Sequence, residues 1–151
     1  MRYFLIGFMG SGKTHWGAKW SEAFDIKHYD LDEEIEKKEG KNVTAIFEEK
    51  GEEYFRFREK ELLEAIIEDH LKVIISCGGG TPCFFNNIEL MKRYGKVLWL
   101  NTDIDTLIKR LIKEKDHRPL VKNISPGCAF NNFATVFLAD SIASLDSRPY
   151  E

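Results

Sequence analysis

Hydrophobic residues occur along this chain in two patterns: short unbroken runs, and longer stretches in which they recur every three or four positions. The short runs are rich in aromatic and β-branched residues, as in buried strands, whereas the longer stretches are typical of helices with one apolar face. Strands are predicted at residues 2–6, 27–29, 72–77 and 96–101. Helices are predicted at residues 13–24, 31–39, 43–50, 52–70, 86–94, 103–115 and 133–145. The alternation predicts an α/β fold in which a mainly parallel sheet is covered by helices on both faces.

The composition fits one soluble globular domain, which we expect to comprise residues 1–151. Hydrophobic residues make up 43% of the chain and aromatic residues 13%, which argues against disorder. No apolar run approaches the roughly 18–20 residues of a membrane span, and the N-terminal run leads into a glycine motif instead of a cleavage site. The net charge of −3 argues against a nucleic-acid partner. We therefore expect no nucleic-acid or membrane partner, and the small size predicts a monomer.

The three cysteines, Cys77, Cys83 and Cys128, form no CxxC pair. An odd number of cysteines without paired spacing is typical of free thiols in a reducing compartment. We therefore predict a cytoplasmic protein without a zinc site.

The segment GFMGSGKT, residues 7–14, matches the phosphate-binding pattern GxxxxGK[ST], and it lies between a predicted strand and a predicted helix. Glycines in such a loop let successive backbone N–H groups point at phosphate oxygens, at the positive end of the helix. Lys13 supplies a charge to the β- and γ-phosphates, and the Thr14 hydroxyl is a ligand for Mg²⁺. The motif predicts binding of a nucleoside triphosphate.

Two carboxylates follow the second predicted strand. If Asp30 and Asp32 continue the strand, their side chains point to the same side, at the sheet edge where α/β proteins bind ligands. One could then lie near Mg²⁺ while the other accepts the proton of an acceptor hydroxyl. Alternatively, either residue could simply cap the helix that follows.

Three further features suggest a site for the acceptor and a cover over the phosphates. Arg56, between Phe55 and Phe57, could bind a carboxylate through two hydrogen bonds, or could simply be solvated. The glycine triplet at 78–80 could allow close approach to a ligand, or could be an ordinary turn. Residues 30–69 carry 15 acidic and 7 basic residues, whereas residues 107–123 carry 6 basic and 2 acidic. The basic segment could close over phosphates or could be a solvated surface.

Taken together, these motifs resemble the shikimate kinase family. They are, in the family's order, GFMGSGKT at 7–14, Asp-Leu-Asp at 30–32, Gly-Glu-x-x-Phe-Arg at 51–56, the triplet at 78–80 and Arg-Pro-Leu at 118–120. The resemblance implies a P-loop kinase fold, a three-layer sandwich with an acceptor-binding region at about 31–62 and a mobile lid at about 113–126. It implies transfer of the γ-phosphoryl group of ATP to the 3-hydroxyl of shikimate, with Mg²⁺, in the biosynthesis of aromatic amino acids.

The resemblance also implies individual roles. Asp32 is the candidate base, and Lys13 and the lid residue Arg118 assist the transfer. Mg²⁺ is assigned to Thr14 and, through water, to Asp30. ATP binding is assigned to Gly10, Ser11, Gly12, Lys13, Thr14, His15, Arg110 (near adenine) and Arg118. Shikimate binding is assigned to Asp32, Arg56, Gly78, Gly79, Gly80 and Arg148.

The chain departs from the family's pattern at three places. His15 stands where the family usually has a hydroxyl residue, but that position chiefly offers its backbone N–H. Arg148 is the only match for the second carboxylate-binding arginine, and its interval from Arg118 is unusually long. We also expect the family's C-terminal part to be incomplete at Glu151. Two alternatives remain open: another small-acid kinase, of the gluconate type, and a nucleotide-binding module without kinase activity.

Overall fold

The computed structural model of the protein describes residues 1–113. The four strands in this part are β1 (Arg2–Ile6), β2 (His28–Asp30), β3 (Val73–Ser76) and β4 (Lys96–Trp99). The helices are α1 (Lys13–Phe24), α2 (Leu31–Glu39), α3 (Val43–Asp69), α4 (Asn87–Tyr94) and α5 (Ile104–Lys113), with a short 3₁₀ helix at Thr81–Cys83. All four strands and the helices in this range were predicted, whereas the 3₁₀ helix was not.

The strands form one parallel sheet in the order β2-β3-β1-β4. Strand β1 lies inside the sheet, where Phe4 is in register with Ile75 on one side and with Val97 on the other. A parallel neighbour requires a crossover connection, and helices supply these connections between the described strands. The predicted parallel α/β fold is confirmed.

The side chains of β1 alternate between two hydrophobic clusters because successive residues of a strand point to opposite faces of the sheet. Phe4 and Ile6 belong to the larger cluster, which also contains buried residues of α2, α3 and α4. Leu5 belongs to the smaller cluster with Ile26 and Ile74. Helices therefore cover both faces of the sheet, as predicted, and full burial of each such side chain contributes about 1.5–3 kcal/mol.

The predicted pair of helices at 43–50 and 52–70 is one element with a break. Asn42 caps its start by accepting a hydrogen bond from the backbone N–H of Ala45 at 2.8 Å. Gly51 has φ 83° and ψ 170°, which interrupts the helical backbone at the predicted position. The long C-terminal part carries Phe55, Leu63 and their buried neighbours into the larger cluster.

No helix within residues 1–113 is long and apolar enough to cross a membrane. Several predictions concern positions outside the described residues: Arg118, Arg148, Cys128, the helix at 133–145 and the lid beyond residue 113.

Candidate active site

A cavity of about 790 Å³ lies where the carboxyl ends of β1, β2 and β3 meet. Its lining comes from the loop after β1, the start of α1, the junction of β2 with α2, the first part of α3 and the glycine triplet after β3. Most of the predicted nucleotide and acceptor residues of this range lie around it: Gly10, Gly12, Lys13, Thr14, His15, Asp30, Asp32, Arg56, Gly78, Gly79, Gly80 and Arg110. Ser11, the one predicted residue not in the lining, is buried within the phosphate-binding loop.

The loop between β1 and α1 has the conformation that its glycines allow. Gly10 and Gly12 have φ values of 80° and 95°, in the left-handed region that favours glycine. Gly12 directly precedes α1, so the loop ends at the positive end of that helix. The ammonium of Lys13 donates hydrogen bonds of 2.9 Å to the carbonyls of Gly7 and Phe8, which holds it over the loop. A helix N-terminus with an ammonium held beside it is the kind of arrangement that binds anions.

The side chain of Asp30 caps α2, one of the roles that the sequence left open, and its other oxygen contacts Thr14. Its Oδ1 accepts hydrogen bonds from the backbone N–H groups of Asp32 (3.1 Å) and Glu33 (3.4 Å), so it caps α2. Its Oδ2 accepts a hydrogen bond of 2.5 Å from Thr14 Oγ1. Asp32 therefore lies in the first turn of α2, not on β2. The prediction that both carboxylates point to one side because they continue the strand was wrong, since the Asp30 cap begins a helix at Leu31. Both residues nevertheless line the cavity.

Arg56 is a buried residue of α3, with 5% of its surface exposed. Its guanidinium forms ion pairs with Glu59 at 2.7 Å and with Glu52 at 3.0 Å, and it lies 4.7 Å from the centre of the Phe84 ring. Burial by itself lowers the pKa of Arg56, but the carboxylates of Glu59 and Glu52 outweigh burial and raise it. Arg56 is thus a fixed cation beside the cavity.

Glu59 was missed by the sequence analysis. It is 1% exposed, it pairs with Arg56, and it accepts a hydrogen bond from the hydroxyl of Thr81. Because α3 contains many charged residues, nothing in the surrounding sequence distinguishes a buried glutamate from an exposed one. The available signal was its spacing, three residues after Arg56, which places the two side chains on the same side of the helix.

The glycine triplet allows a close approach, but chiefly to side chains of the protein itself. A Cβ at Gly78 would lie 2.3 Å from Glu59 Oε1 and 2.9 Å from Asp32 Oδ1. A Cβ at Gly80 would lie 2.6 Å from Arg56 Nη2. Gly79 has room, because its nearest neighbour would be the backbone nitrogen of Met9 at 3.5 Å. The triplet therefore lets β3 end directly against the arginine and the two carboxylates.

A second group missed from the sequence supports the lysine end of the site. His28 Nε2 lies 2.9 Å from Ser76 Oγ, and the Ser76 hydroxyl donates to the backbone carbonyl of Lys13 at 3.0 Å. Since the serine proton goes to that carbonyl, His28 is the donor in the first bond. Burial lowers the pKa of His28, more than the charge of Asp30 raises it. A lone histidine on a short strand gives no sequence signal for such a role.

Arg110, on α5, lies beside the phosphate loop. Its Nη1 donates a hydrogen bond of 2.8 Å to the carbonyl of Gly10. The sequence placed Arg110 near the adenine of bound ATP, and its position beside the loop is compatible with that expectation.

The parallel sheet, the phosphate loop between its central strand and α1, and the adjoining carboxylates and arginine define a P-loop kinase of the α/β class. Residues 9–138 match the sequence model of the family described as shikimate kinase. The chain belongs to the shikimate kinase family.

Individual relatives agree with this placement. A shikimate kinase from Azobacteroides pseudotrichonymphae is 45% identical over 125 residues, which are 83% of this chain and 74% of that protein. The crystal structure of shikimate kinase from Bacteroides thetaiotaomicron gives a TM-score of 0.78 at 35% identity. The match covers 94% of this chain and 80% of the Bacteroides chain. The structure of shikimate kinase from Acinetobacter baumannii, in complex with shikimate, gives a TM-score of 0.83 at 30% identity. The match covers 91% of this chain and 76% of the Acinetobacter chain.

Proposed function

We propose that this chain transfers the γ-phosphoryl group of ATP to the 3-hydroxyl of shikimate, giving shikimate 3-phosphate and ADP in the biosynthesis of aromatic amino acids. Membership of the shikimate kinase family supports this activity. The structural observation that carries it is that one cavity is lined both by the phosphate loop and by a buried arginine next to a carboxylate. A donor phosphate and a carboxylate-bearing acceptor can therefore meet in it.

On the nucleotide side, the backbone N–H groups of the loop and the Lys13 ammonium bind the phosphates. Lys13 donates to the carbonyls of Gly7 and Phe8, so its charge is already held at the loop. A fixed cation of this kind stabilises the charge that develops on the transferred group without reorganisation.

Mg²⁺ is the metal that this reaction implies, and the residues present fit it. Thr14 Oγ1 and Asp30 Oδ2 are hard oxygen atoms 2.5 Å apart in the cavity wall. Residues 1–113 contain no group of three or more histidine, cysteine or acidic side chains that could hold a metal. Mg²⁺ does not require such a group, because it is usually held by one or two protein oxygens, substrate phosphates and water. When bound, it neutralises phosphate charge; Thr14 would hold it directly, and Asp30 through water.

On the acceptor side, Arg56 binds the carboxylate of shikimate. Its Nε and Nη2 donate to Glu52 and its Nη1 donates to Glu59. A guanidinium has five N–H donors, so these bonds within the described residues use three and leave two for a substrate carboxylate. The arginine is held before the substrate arrives, which lowers the entropic cost of binding.

Asp32 lies beside Gly78, next to the Arg56–Glu59 pair, and accepts the proton of the 3-hydroxyl as that oxygen attacks phosphorus. The Gly79 backbone contacts the ring hydroxyls. Outside the described residues, Arg118 of the lid bridges to the transferring phosphate, and Arg148 is the second carboxylate-binding arginine. The enzyme acts as a cytoplasmic monomer.

A coupled assay of ADP release, with shikimate, quinate and gluconate as acceptors, tests the proposal. We expect ATP turnover that depends on shikimate and is much weaker with the other two acids. Preferred turnover of gluconate would favour the gluconate-type kinase. ATP binding by the folded 151-residue chain without turnover of any acceptor would favour a binding module.

A further inference from the structure

Trp16 is a large aromatic residue that the proposed reaction does not use. It lies in the first turn of α1, three residues after Lys13, and 43% of its surface is exposed. It also lines the cavity that contains the phosphate loop. An exposed indole in the wall of a ligand cavity offers a flat apolar surface that nothing in the proposed phosphoryl transfer explains.

Trp16 lies against the phosphate loop, close to Arg110. A Cβ at Gly12 would lie 3.6 Å from Trp16 Cδ1 and 3.7 Å from Arg110 Nη1. The indole and the guanidinium thus lie on the same stretch of the loop, and Arg110 is held there by the carbonyl of Gly10. Two planar groups, one aromatic and one cationic, flank the end of the phosphate loop.

Trp16 and its ring neighbours belong to a different element from the acceptor residues. The aromatic and cationic neighbours of the Trp16 ring are His15, Lys19 and Trp20, all on α1. The acceptor residues Asp32 and Arg56 come from α2 and α3. In a P-loop the lysine meets the β- and γ-phosphates while backbone N–H groups hold the α- and β-phosphates. The nucleoside therefore leaves the loop on the α-phosphate side, and Trp16 and Arg110 lie beside the loop at Gly12 and Gly10.

We propose that Trp16 supplies a stacking surface for the base of the bound nucleotide, beside Arg110. This inference rests on the proposed ATP-dependent function and adds a nucleoside-binding residue to it. Every nucleobase has a flat face that packs well on an indole, and a guanidinium stacks on the same kind of surface. The stacking selects a nucleoside triphosphate over a bare chain of phosphates.

The test compares a ligand that has a base with one that has none. ADP and inorganic tripolyphosphate are titrated calorimetrically into the 151-residue chain and into its Trp16→Leu and Trp16→Phe variants. We expect Trp16→Leu to weaken ADP binding by about 5- to 20-fold, given the usual strength of base–aromatic stacking. Tripolyphosphate binding should be unchanged, and Trp16→Phe, which keeps an aromatic ring, should retain most of the affinity for ADP.

Tryptophan fluorescence supplies a second measurement on folded protein. ADP should quench part of the emission of the wild type, and the quenching should disappear in Trp16→Phe. Trp20→Phe is the matched control, because Trp20 is on the same helix but does not line the cavity; quenching should persist in it.

The outcomes separate this inference from the proposed function. Equal ADP affinity in the wild type and Trp16→Leu would overturn the stacking role alone. Equal losses for ADP and tripolyphosphate would also overturn it, since the tryptophan would then support the loop instead of the base. If the folded wild type bound no ADP, both the inference and the proposed function would be wrong.

Discussion

Thr14 Oγ1 donates a hydrogen bond of 2.5 Å to Asp30 Oδ2, which joins the first turn of α1 to the end of β2. The other oxygen of the same carboxylate caps α2. One side chain therefore fixes the proposed metal-binding hydroxyl and the start of the helix that carries Asp32. The capping role of Asp30 and its proposed metal-binding role can be separated because they involve different oxygen atoms.

Asp30→Asn should keep the fold and impair the reaction. Asparagine caps helices about as well as aspartate, so the free energy of unfolding should change little, whereas Asp30→Ala should cost about 0.5–2 kcal/mol. Loss of the carboxylate should raise the Mg²⁺ concentration needed for half-maximal turnover by about 10- to 100-fold in both variants. Thermal unfolding and Mg²⁺ titrations of activity measure the two effects. An unchanged Mg²⁺ dependence in Asp30→Asn would leave this residue only its capping role.

Arg56→Ala should combine a loss of shikimate affinity with a loss of stability. The substitution removes the proposed contact to the substrate carboxylate. It also leaves Glu59 buried without its cation, which typically costs about 3–5 kcal/mol. The double variant Arg56→Ala/Glu59→Gln removes that charge as well and should recover part of the stability. It should not recover the KM for shikimate.

Steady-state kinetics and urea unfolding of both variants distinguish the two effects of Arg56. If the double variant regained both stability and the wild-type KM, Arg56 would be a structural residue and the carboxylate would bind elsewhere.

Asp32→Asn should lower kcat far more than it changes either KM. A general base typically contributes on the order of 10²–10⁴-fold, and asparagine keeps the shape without accepting the proton. Glu34→Gln is a suitable control, because Glu34 is also in the first turn of α2 but pairs with Lys37 outside the cavity. If the kcat of Asp32→Asn were close to that of the control, Asp32 would not be the base of the reaction.

Gly78→Ala should destabilise the protein, whereas Gly79→Ala should not. The added Cβ at Gly78 would lie 2.3 Å from Glu59 Oε1, and the buried carboxylate could not move without straining its ion pair. At Gly79 the new atom would be at ordinary contact distance. Overpacking typically costs about 1–3 kcal/mol, so differential scanning calorimetry should show a lower melting temperature for Gly78→Ala alone. Equal melting temperatures would mean that the loop after β3 can relax.

Glu39 should make stability fall in acid. It accepts hydrogen bonds from Lys50, Tyr54 and Arg58, and these partners lower its pKa to about 2. The ordinary value is 4.5, so the carboxylate stabilises the fold fully above that pH, and the contribution is lost as the pH falls toward 2. The stability difference between the wild type and Glu39→Gln should therefore be present at pH 7 and vanish in acid.

Urea unfolding at a series of pH values measures the contribution of Glu39. Glu61→Gln is the control, since Glu61 makes one exposed ion pair with Arg58 and should change stability less. A difference between the wild type and Glu39→Gln that did not depend on pH would contradict the assignment.

The sequence predicted the sheet and the nucleotide loop well because both depend on local patterns. The apolar run at β1 is typical of a buried strand, and the glycines before Lys13 permit the left-handed conformations that the loop adopts. The glycine at 51 breaks α3 where predicted. The junction at Asp30 was harder. Whether a strand continues or a helix begins there depends on which backbone N–H groups the side chain meets, and a period-two pattern does not contain that information.

The acceptor side depends on burial, which the sequence does not show directly. Arg56 was recognised as a carboxylate-binding candidate from its aromatic neighbours and from the family resemblance. The sequence around its partner Glu59 looks like that around the exposed glutamates of α3, such as Glu53. Only the packing of α3 against the loop after β3 selects one of them for the interior.

The position of Gly78 between Glu59 and Asp32 has a consequence for how this enzyme could change its acceptor. Glu59, which pairs with Arg56, and Asp32, the proposed base, would both lie within 3 Å of a Cβ added at Gly78. A larger residue, or a shift of either carboxylate, therefore disturbs recognition and chemistry at once. New acceptor specificity would require linked substitutions at several of these positions, because an exchange at Arg56 alone would leave Glu59 buried without its cation.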